Sequence, residues 1–284
     1  NGGLHSQLYT MNKNSKSLEP RAGLSYKLDD KSSINFGIGL HSQMLPSYQY
    51  TFQQELPGNT FALLNDEVGF IRSFHNVLGY DRMLSDNFRL KLETYYQYLF
   101  DVPVEIKPSA FSLANEGSGF SRFFPDSLQN TGTGKNYGVE LTLEKFFSNH
   151  FFFLATGSLY NSLYTGSDGI ERKTDFNGNY AANLLGGYEI TINDNNVITT
   201  GIKLTYAGGK LTTPVDTLAT IAAKELIYID SLTNTIQLKD YFRFDLKLAY
   251  RINSQKNKVT HEIAIDLVNL LNVQNVLGLT YAPN

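Results

Sequence analysis

Residues 242–248 read Phe-Arg-Phe-Asp-Leu-Lys-Leu, with an apolar residue at every second position and a charged residue between. In a β-strand successive side chains point to opposite faces, so the alternation puts Arg243, Asp245 and Lys247 on one face and the apolar residues on the other. The stretch therefore predicts a strand with one apolar face and one charged face.

The same period-two pattern recurs along most of the 284 residues. It is found at residues 34–43, 88–93, 139–144, 198–205 and 262–267. Soluble strands average about 5 to 6 residues, whereas a tilted strand needs about 9 to 11 to cross a bilayer. The segments 135–147, 150–164 and 240–253 belong to the longer class. A bilayer would cover apolar faces that a soluble sheet has to hide.

The connections between these segments alternate in length. Short polar turns, rich in Asp, Asn and Ser, are predicted at residues 29–32, 85–87, 148–149, 193–195 and 254–257. Longer segments lie between them at residues 46–66, 104–132, 165–178 and 208–239. Short turns on one side and long loops on the other are typical of outer-membrane barrels. We count about eleven strands, the first at 4–10 and the last at 259–272.

Residues 70–84 fit the alternation poorly. Arg72, Asn76 and Arg82 have the same parity as the apolar residues Phe74 and Leu78. A β-bulge inside the segment would return the polar residues to the polar face. We expect a strand here.

The composition excludes several classes of protein. The chain has 18 Tyr and 19 Phe, which favours strands, and its net charge of −3 provides no basic surface for nucleic acid. It has no Cys, which excludes disulfides, thiolate metal sites and a cysteine nucleophile. No apolar run approaches the roughly 18 to 20 residues of a spanning helix. A nucleic-acid partner and a helical membrane protein are both excluded.

The histidines do not predict a catalytic or metal site. They fall on different predicted strands, at His5, His41, His75, His150 and His261. His41 precedes Ser42, a pair that an outer-membrane phospholipase would use, but no acidic or amide orienter accompanies it. We therefore expect structural roles for the histidines, no catalytic residues and no enzyme.

Asp175, Asn177 and Asn179 have the opening spacing of a calcium-binding loop. The glycine at the sixth position and the closing glutamate of such a loop are missing. Ordinary turn chemistry is the preferred interpretation, and we expect neither a metal nor a cofactor.

Several segments resemble barrel strands of TonB-dependent receptors of the Bacteroidetes type. They are SFHNVLGYD at 73–81, LKLETYYQYLFDVPV at 90–104, GVELTLEK at 138–145, DFNGNY at 175–180 and DLVNLLN at 266–272. No single segment is diagnostic, but their order and spacing together are fairly specific. The resemblance covers most of the chain.

The resemblance implies a twenty-two-stranded barrel that an N-terminal plug fills, in the outer membrane of a Gram-negative bacterium. Such a barrel imports a bound ligand with energy passed on by TonB. We expect an all-β, antiparallel, up-and-down transmembrane β-barrel, with residues 1–284 forming a single barrel region of about eleven strands. The plug and the final strand are expected to lie outside these residues. The alternative is a passive porin or a structural barrel without energy coupling.

Two of the long loops carry residues suited to binding. Aromatic residues and arginine dominate recognition surfaces, so we expect ligand contacts at Tyr48, Tyr50, Phe120, Arg122, Phe123 and Phe124. The ligand class stays open among siderophores, cobalamin, glycans and peptides, because the fold does not choose between them.

The charged face of the last two predicted strands has mixed signs. Arg243, Asp245 and Lys247 lie opposite Glu262 and Asp266. Cross-strand ion pairs that line a wet lumen are the preferred interpretation. A contact surface for the plug is the alternative.

Overall fold

The computed structural model describes residues 1–10, 12, 14–116, 127–254, 258–276 and 278. Its main sheet contains β1 (Gly2–Leu8), β2 (Lys16–Lys27), β3 (Ser32–Gln43), β6 (Ile71–Ser85), β7 (Phe88–Glu105), β8 (Leu128–Ser148), β9 (Phe151–Thr165), β10 (Glu171–Lys173), β11 (Tyr180–Asn193), β12 (Asn196–Ala207), β15 (Tyr241–Ser254) and β16 (Val259–Leu267). The loops add β4 (Gln53–Leu56), β5 (Thr60–Leu63), β13 (Leu211–Thr212), β14 (Ile236–Gln237), helices α1 (Ser47–Tyr50) and α2 (Thr217–Ala223), and a 3-10 turn at Asp230–Leu232.

The strand order of the main sheet follows the chain. Neighbours along the path are β1, β2, β3, β6, β7, β8, β9, β11, β12, β15 and β16, all antiparallel, and the short β10 pairs with β9. The eleven strands of this path confirm the expected all-β, up-and-down architecture and the expected number of strands. Among the described residues, β1 and β16 each pair on one side only.

The connections separate the sheet into two ends. Residues 28–31, 86–87, 149–150 and 194–195 form short connections at what we call the turn end. The longer connections gather at the opposite loop end. There α2 begins at Asp216, whose carboxylate accepts a hydrogen bond from Ala219 N at 3.0 Å, and ends at Lys224 in the left-handed conformation. None of the described helices is long and apolar enough to cross a membrane.

One face of the main sheet is apolar and uncovered. The register aligns Ile198 with Tyr250, and Tyr250 with Ile263, so apolar side chains form rows across neighbouring strands. Leu24, Leu159 and Ile263 on this face each leave 68% of their surface exposed. Such an extent of exposed apolar side chains in a regular sheet matches a surface that faces lipid.

Strand β6 keeps a single facing from Ile71 to Met83. Its register with β3 is unbroken from Arg82 to Ile71, and its register with β7 shifts only between Met83 and Ser85, at the turn end. This shift comes after Arg82, so it does not return Arg72, Asn76 or Arg82 to the polar face as a bulge farther inside the segment would have done. Arg72 and Arg82 lie on the apolar face near opposite ends of the strand, where long cationic side chains reach the membrane surface. Asn76 alone lies mid-strand, paired with Ile38.

Two strand boundaries also differ from the sequence expectation. Val102 and Val104, at the edge of the expected loop, are fully buried and continue the pairing of β7 with β8 as far as Glu105 and Leu128. The last strand ends at Leu267 rather than 272. Asn269 has a φ of 52°, and its N–H donates to the Asp245 carboxylate at 2.8 Å, which turns the chain out of the strand.

We predict opposite tolerance to arginine at two adjacent residues of β8. Leu141 lies on the apolar face between Leu92 and Gly157, whereas Thr142 lies on the polar face between Lys91 and Thr156. In the full-length protein, Leu141→Arg should lower the free energy of unfolding by about 2 to 4 kcal/mol, the penalty for arginine facing mid-bilayer lipid. The matched Thr142→Arg should change it little. Urea unfolding in lipid vesicles measures both, and equal effects would refute the assignment of the faces.

We also predict that the isolated 284-residue chain does not form a stable monomer in detergent. Within the part of the chain that the structure describes, β1 and β16 each present a backbone edge without a neighbouring strand, and such groups lack hydrogen-bond partners in an apolar medium. Heat-modifiable migration on gel electrophoresis measures barrel folding, with the full-length protein as control. Cooperative, heat-modifiable folding of the isolated chain would contradict the prediction.

Candidate functional site: the loop end and the polar face

A small apolar core holds the first two long loops together. Leu45, Tyr50, Val68 and Leu128 form a buried cluster at the loop end. The Tyr50 side chain is 2% exposed, its hydroxyl accepts a hydrogen bond from Leu45 N at 3.1 Å, and its ring centroid lies 5.1 Å from that of Tyr9. Tyr50 is thus an anchor between connections that are far apart in sequence.

Asparagine side chains fasten the same connections by replacing backbone partners. Asn65 Oδ1 accepts from Leu128 N at 2.8 Å, and Asn12 Nδ2 donates to Val68 O at 3.0 Å. Asn130 Oδ1 accepts from Gly69 N at 2.7 Å, while its Nδ2 donates to a backbone carbonyl of β7 at 2.6 Å. Buried irregular backbone needs such partners, so these contacts hold the loops in one arrangement.

Asp175 joins the later long loops, and we call its contacts the Asp175 latch. Its Oδ1 accepts from Asn115 Nδ2 and from Asn234 Nδ2, both at 2.9 Å, and Asn115 Oδ1 accepts from Asp175 N at 2.7 Å. The Lys210 ammonium lies 3.6 Å from Asp175 Oδ2 and 5.2 Å from the centroid of the Phe176 ring. One carboxylate therefore connects three loops.

An ion pair stiffens the loop that carries Asp175. The guanidinium of Arg172, 7% exposed, donates to the two carboxylate oxygens of Asp168 at 2.9 and 2.6 Å. These hydrogen bonds lower the pKa of the Asp168 carboxyl below its ordinary value. In the same loop Ser167 Oγ donates to Lys107 O at 2.7 Å and accepts from Ser109 N at 3.0 Å, which ties it to the preceding long loop.

A cavity of about 330 Å³ lies beside the Asp175 latch. Its wall includes Asp175, Lys210, Thr212, Thr213, Tyr228 and Asn234. An ammonium, a carboxylate, hydroxyls and an amide converge on one space, a lining that suits a polar ligand.

On the polar face, hydrogen-bonding side chains form a row across four neighbouring strands, in which His75, Gln97 and Asn136 are aligned by register and His41 lies diagonally to His75. The rings of His41 and His75 lie 4.6 Å apart, Gln97 Nε2 lies 2.6 Å from His75 Nε2, and Asn136 Nδ2 donates to Gln97 Oε1 at 2.8 Å. We call these four residues the polar row. They come from strands scattered along the sequence, so only the register brings them together.

The polar row continues toward a buried carboxylate on β2. Glu19 is 1% exposed and pairs with Arg21 at 2.6 Å and with His5 at 3.1 Å. It also accepts hydrogen bonds from Gln7 at 2.7 Å and from Ser17 at 2.9 Å. Every partner lies on β1 or β2, so the charge of Glu19 is satisfied within this hairpin.

Ion pairs cover the polar face of the last strands, as expected from the mixed charges. Arg251 pairs with Glu262 and with Glu189 at 3.4 Å each, and Lys247 lies 3.9 Å from Glu262. Register places Lys247 opposite Asp266, yet its ammonium reaches diagonally to Glu262. Arg243 pairs with Asp245 of its own strand at 2.7 Å, so that pair is not a cross-strand one.

Two glycines open a groove in this face. Gly187 and Gly201 lie opposite each other, and the ring of Phe152 on the neighbouring strand packs against Gly187. The resulting groove has a volume of about 660 Å³ and is bordered by residues that include Glu189, Lys247 and Asp266. Its size and mixed charge suit a polypeptide segment lying against the wall.

The structure places only part of the expected ligand-binding set. Tyr48 is half-buried in α1, and Tyr50 is buried in the loop core. Phe120, Arg122, Phe123 and Phe124 lie outside the described residues. A ligand-binding role for the six residues stays a prediction. The role of the asparagines and of Asp175 in joining the loops was missed, because their partners lie tens of residues away in sequence.

The structure supports neither the Ser/His pair considered at His41 nor the calcium loop considered at Asp175. His41 and Ser42 are adjacent in β3, so their side chains point to opposite faces and form no dyad. Asn177 Oδ1 accepts from Ser162 N at 3.1 Å, and Asn179 Nδ2 donates to Asn161 Oδ1 at 2.9 Å. Across the described part of the chain, no three His, Asp or Glu side chains are grouped to hold a metal ion.

Two of the solved structures that share this fold are receptors for iron complexes. The ferric-catecholate import receptor Fiu of E. coli K12 matches with a TM-score of 0.62 and 15% identity over 92% of this chain and 32% of its own. BauA, the ferric preacinetobactin receptor of Acinetobacter baumannii, matches with a TM-score of 0.62 and 13% identity over 94% of this chain and 34% of its own. The chain spans about one third of the length of these receptors. No curated protein matches it in sequence.

The sequence itself matches the model of one protein family over nearly its whole length. The matching family model is described as TonB dependent receptor-like, beta-barrel, and it aligns with residues 2–276. The eleven sequential strands, the apolar face and the polar face agree with that match. The chain belongs to the TonB-dependent receptor β-barrel family, whose members are transporters and receptors.

Proposed function

We propose that this chain forms barrel wall and outer loops of an outer-membrane protein that imports a bound ligand in a TonB-dependent manner. Membership of the receptor family, together with a sheet that is apolar on one face and ion-paired on the other, supports this role. The apolar face contacts lipid, the polar face lines the lumen, and the loop end faces outward. Localisation to the outer membrane of a Gram-negative bacterium, and the Bacteroidetes subtype, are parts of the same proposal.

The loops provide the capture surface in this proposal. The Tyr50 core and the Asp175 latch hold several loops in one arrangement, so little conformational entropy is lost when a ligand binds. The polar cavity beside Asp175 and the expected aromatic set with Arg122 offer complementary contacts. The ligand is a small molecule, a glycan or a peptide.

The polar face receives the plug in this proposal. Residues 1–284 then act as a single barrel region, and a plug that belongs to the same protein contacts the mixed charges of β11 to β16 and the groove at Gly187 and Gly201. A pore tuned for ions of one sign would carry one dominant charge, whereas this wall carries both. A passive porin or structural barrel is the second candidate, and the sequence upstream of residue 1 discriminates between them. A plug domain there supports the receptor.

We predict that uptake by the full-length protein stops when energy coupling is removed. A TonB-dependent importer needs work from the inner membrane, whereas a porin conducts by diffusion. Uptake of a labelled nutrient should fall to background in a strain without TonB, or after the proton gradient is dissipated. The nutrient is identified beforehand by comparing expression under iron starvation with expression on a polysaccharide. Uptake that persists under both treatments would support the porin.

We predict that the aromatic set of the second long loop contributes most of the binding. Replacing Phe120, Arg122, Phe123 and Phe124 together by alanine should weaken ligand binding by about thirtyfold or more, since truncating even one hot-spot residue costs at least about 2 kcal/mol. Equilibrium binding to cells that express the full-length variant measures the change. Phe61→Ala is the control, because Phe61 is a 62% exposed aromatic residue of another loop. Unchanged binding in the fourfold variant would remove these residues from the site.

A further inference from the structure

A groove opens on the apolar face at the loop end, between β2 and β3. Its volume is about 390 Å³, and its wall includes Lys16, Leu18, Leu40, Ser42, Arg72 and Phe100. Register aligns Ser42 with Arg72 and Arg72 with Phe100, which puts these residues on the face that carries the exposed apolar rows. Six of the eight wall residues thus lie on the apolar face, whereas the remaining two, Ser17 and His41, belong to the polar face. The groove is therefore lined mainly by the face that contacts the bilayer.

The groove exists because the pairing of β2 with β3 stops early. The register runs from Lys27 with Ser33 to Arg21 with Gly39, although both strands continue. Gly23 bonds through its N–H and its C=O to Asn1, so the alternate residues of β2 direct their N–H groups toward β3.

Pro20 is the residue at which this ladder would continue. It has no N–H to donate toward β3, so the next pair lacks its hydrogen bond. In the part of β3 that no longer pairs with β2, the carbonyl of Ser42 instead accepts from Gln7 Nε2 at 3.2 Å. The gap between the strands is thus encoded in the sequence.

The groove combines apolar walls with unbalanced positive charge. Arg72 reaches across β3, where its Nη2 donates to Lys16 O at 3.4 Å, and its Nε lies 3.5 Å from Asp101. Lys16 is exposed and forms no ion pair with any residue that the structure describes. The wall residues include no carboxylate, which leaves one cation in excess after Asp101 is counted.

Another cation on the same face has a different environment. Lys135 aligns with Tyr98 at the loop end of β8, and its ammonium lies 2.7 Å from Glu171. Its charge is therefore compensated within the protein. Lys16 and Arg72 together leave one positive charge uncompensated at the loop end of this face.

We propose that this groove binds a phosphate-bearing lipid of the outer leaflet, its acyl chain against Leu18, Leu40 and Phe100 and its phosphate between Lys16 and Arg72. The proposal rests on the outer-membrane orientation proposed above. Basic side chains beside an apolar surface at the membrane boundary recognise anionic headgroups in this way. The chemistry requires both a phosphate and an acyl chain, so free phosphate alone is a poor occupant.

The test uses the full-length receptor in mild detergent, with purified diphosphoryl lipid A as the probe and native mass spectrometry as the readout. Lys16→Gln with Arg72→Gln should weaken retention about thirtyfold, from about fivefold for each cation near a membrane surface. The matched control, Lys31→Gln with Arg82→Gln, removes two cations at the turn end, one of them from the same strand β6. It should retain lipid like the parent protein.

Further control experiments distinguish a lipid phosphate from free phosphate and test whether each variant folds. Dephosphorylated lipid A should bind weakly, and millimolar inorganic phosphate should not displace the diphosphoryl form. Heat-modifiable migration checks that each variant folds. If the double variant fails to fold, Lys16→Gln alone should lose about fivefold, and Arg72→Lys should restore part of the retention because it keeps the charge.

The proposal is overturned if the Lys16 and Arg72 variants retain lipid like the parent, if dephosphorylated lipid binds equally, or if inorganic phosphate displaces the lipid. Nutrient uptake is measured in the same variants. Normal TonB-dependent uptake with unchanged lipid retention would sink the lipid site alone. Loss of TonB dependence in the parent protein would sink the import function and leave the lipid result to stand by itself.

Discussion

The constraint on which the structure depends is that backbone N–H and C=O groups in hydrocarbon find no water and must be paired with neighbouring strands. The eleven sequential strands meet it with nearly continuous antiparallel registers, and their irregularities lie mostly near the ends of strands. Where one donor is missing, at Pro20, the sheet opens and a side-chain amide takes over one carbonyl. Because the backbone groups of each strand are used in pairing, the alternation of side chains along the strand decides which face is apolar and which is polar.

Most of the fold was predictable because the alternation encodes a face for each strand. The segment 242–248 and its counterparts identify strands without knowledge of their neighbours, and the Asp, Asn and Ser turns determine which end they share. β6 shows where this reasoning fails. Arg72 and Arg82 suggested a bulge because only the alternation of side chains was considered, and not the position of each residue along the strand. Cations near the two ends of a spanning strand are compatible with an apolar face.

The site was far less predictable, because its residues meet only through register and loop folding. Asn65 and Leu128, or Asn115 and Asp175, are about sixty residues apart, and nothing local marks them as partners. Tyr50 illustrates the same limit. Its residue type suits recognition, yet its ring is buried in the core that organises the loops. Composition could indicate a binding-competent loop end, but which side chains contact a ligand and which hold the loops depends on tertiary contacts.

The strictly sequential strand order has a consequence for how such a wall is made. Because each strand of the path pairs with its predecessor along the chain, no long-range crossover has to form before a local one. The chain can be added one hairpin at a time to one edge of the growing sheet, because each short turn places the next strand beside the previous one. The barrel can then assemble by sequential addition of hairpins, and each long loop must cross the membrane when its hairpin is added.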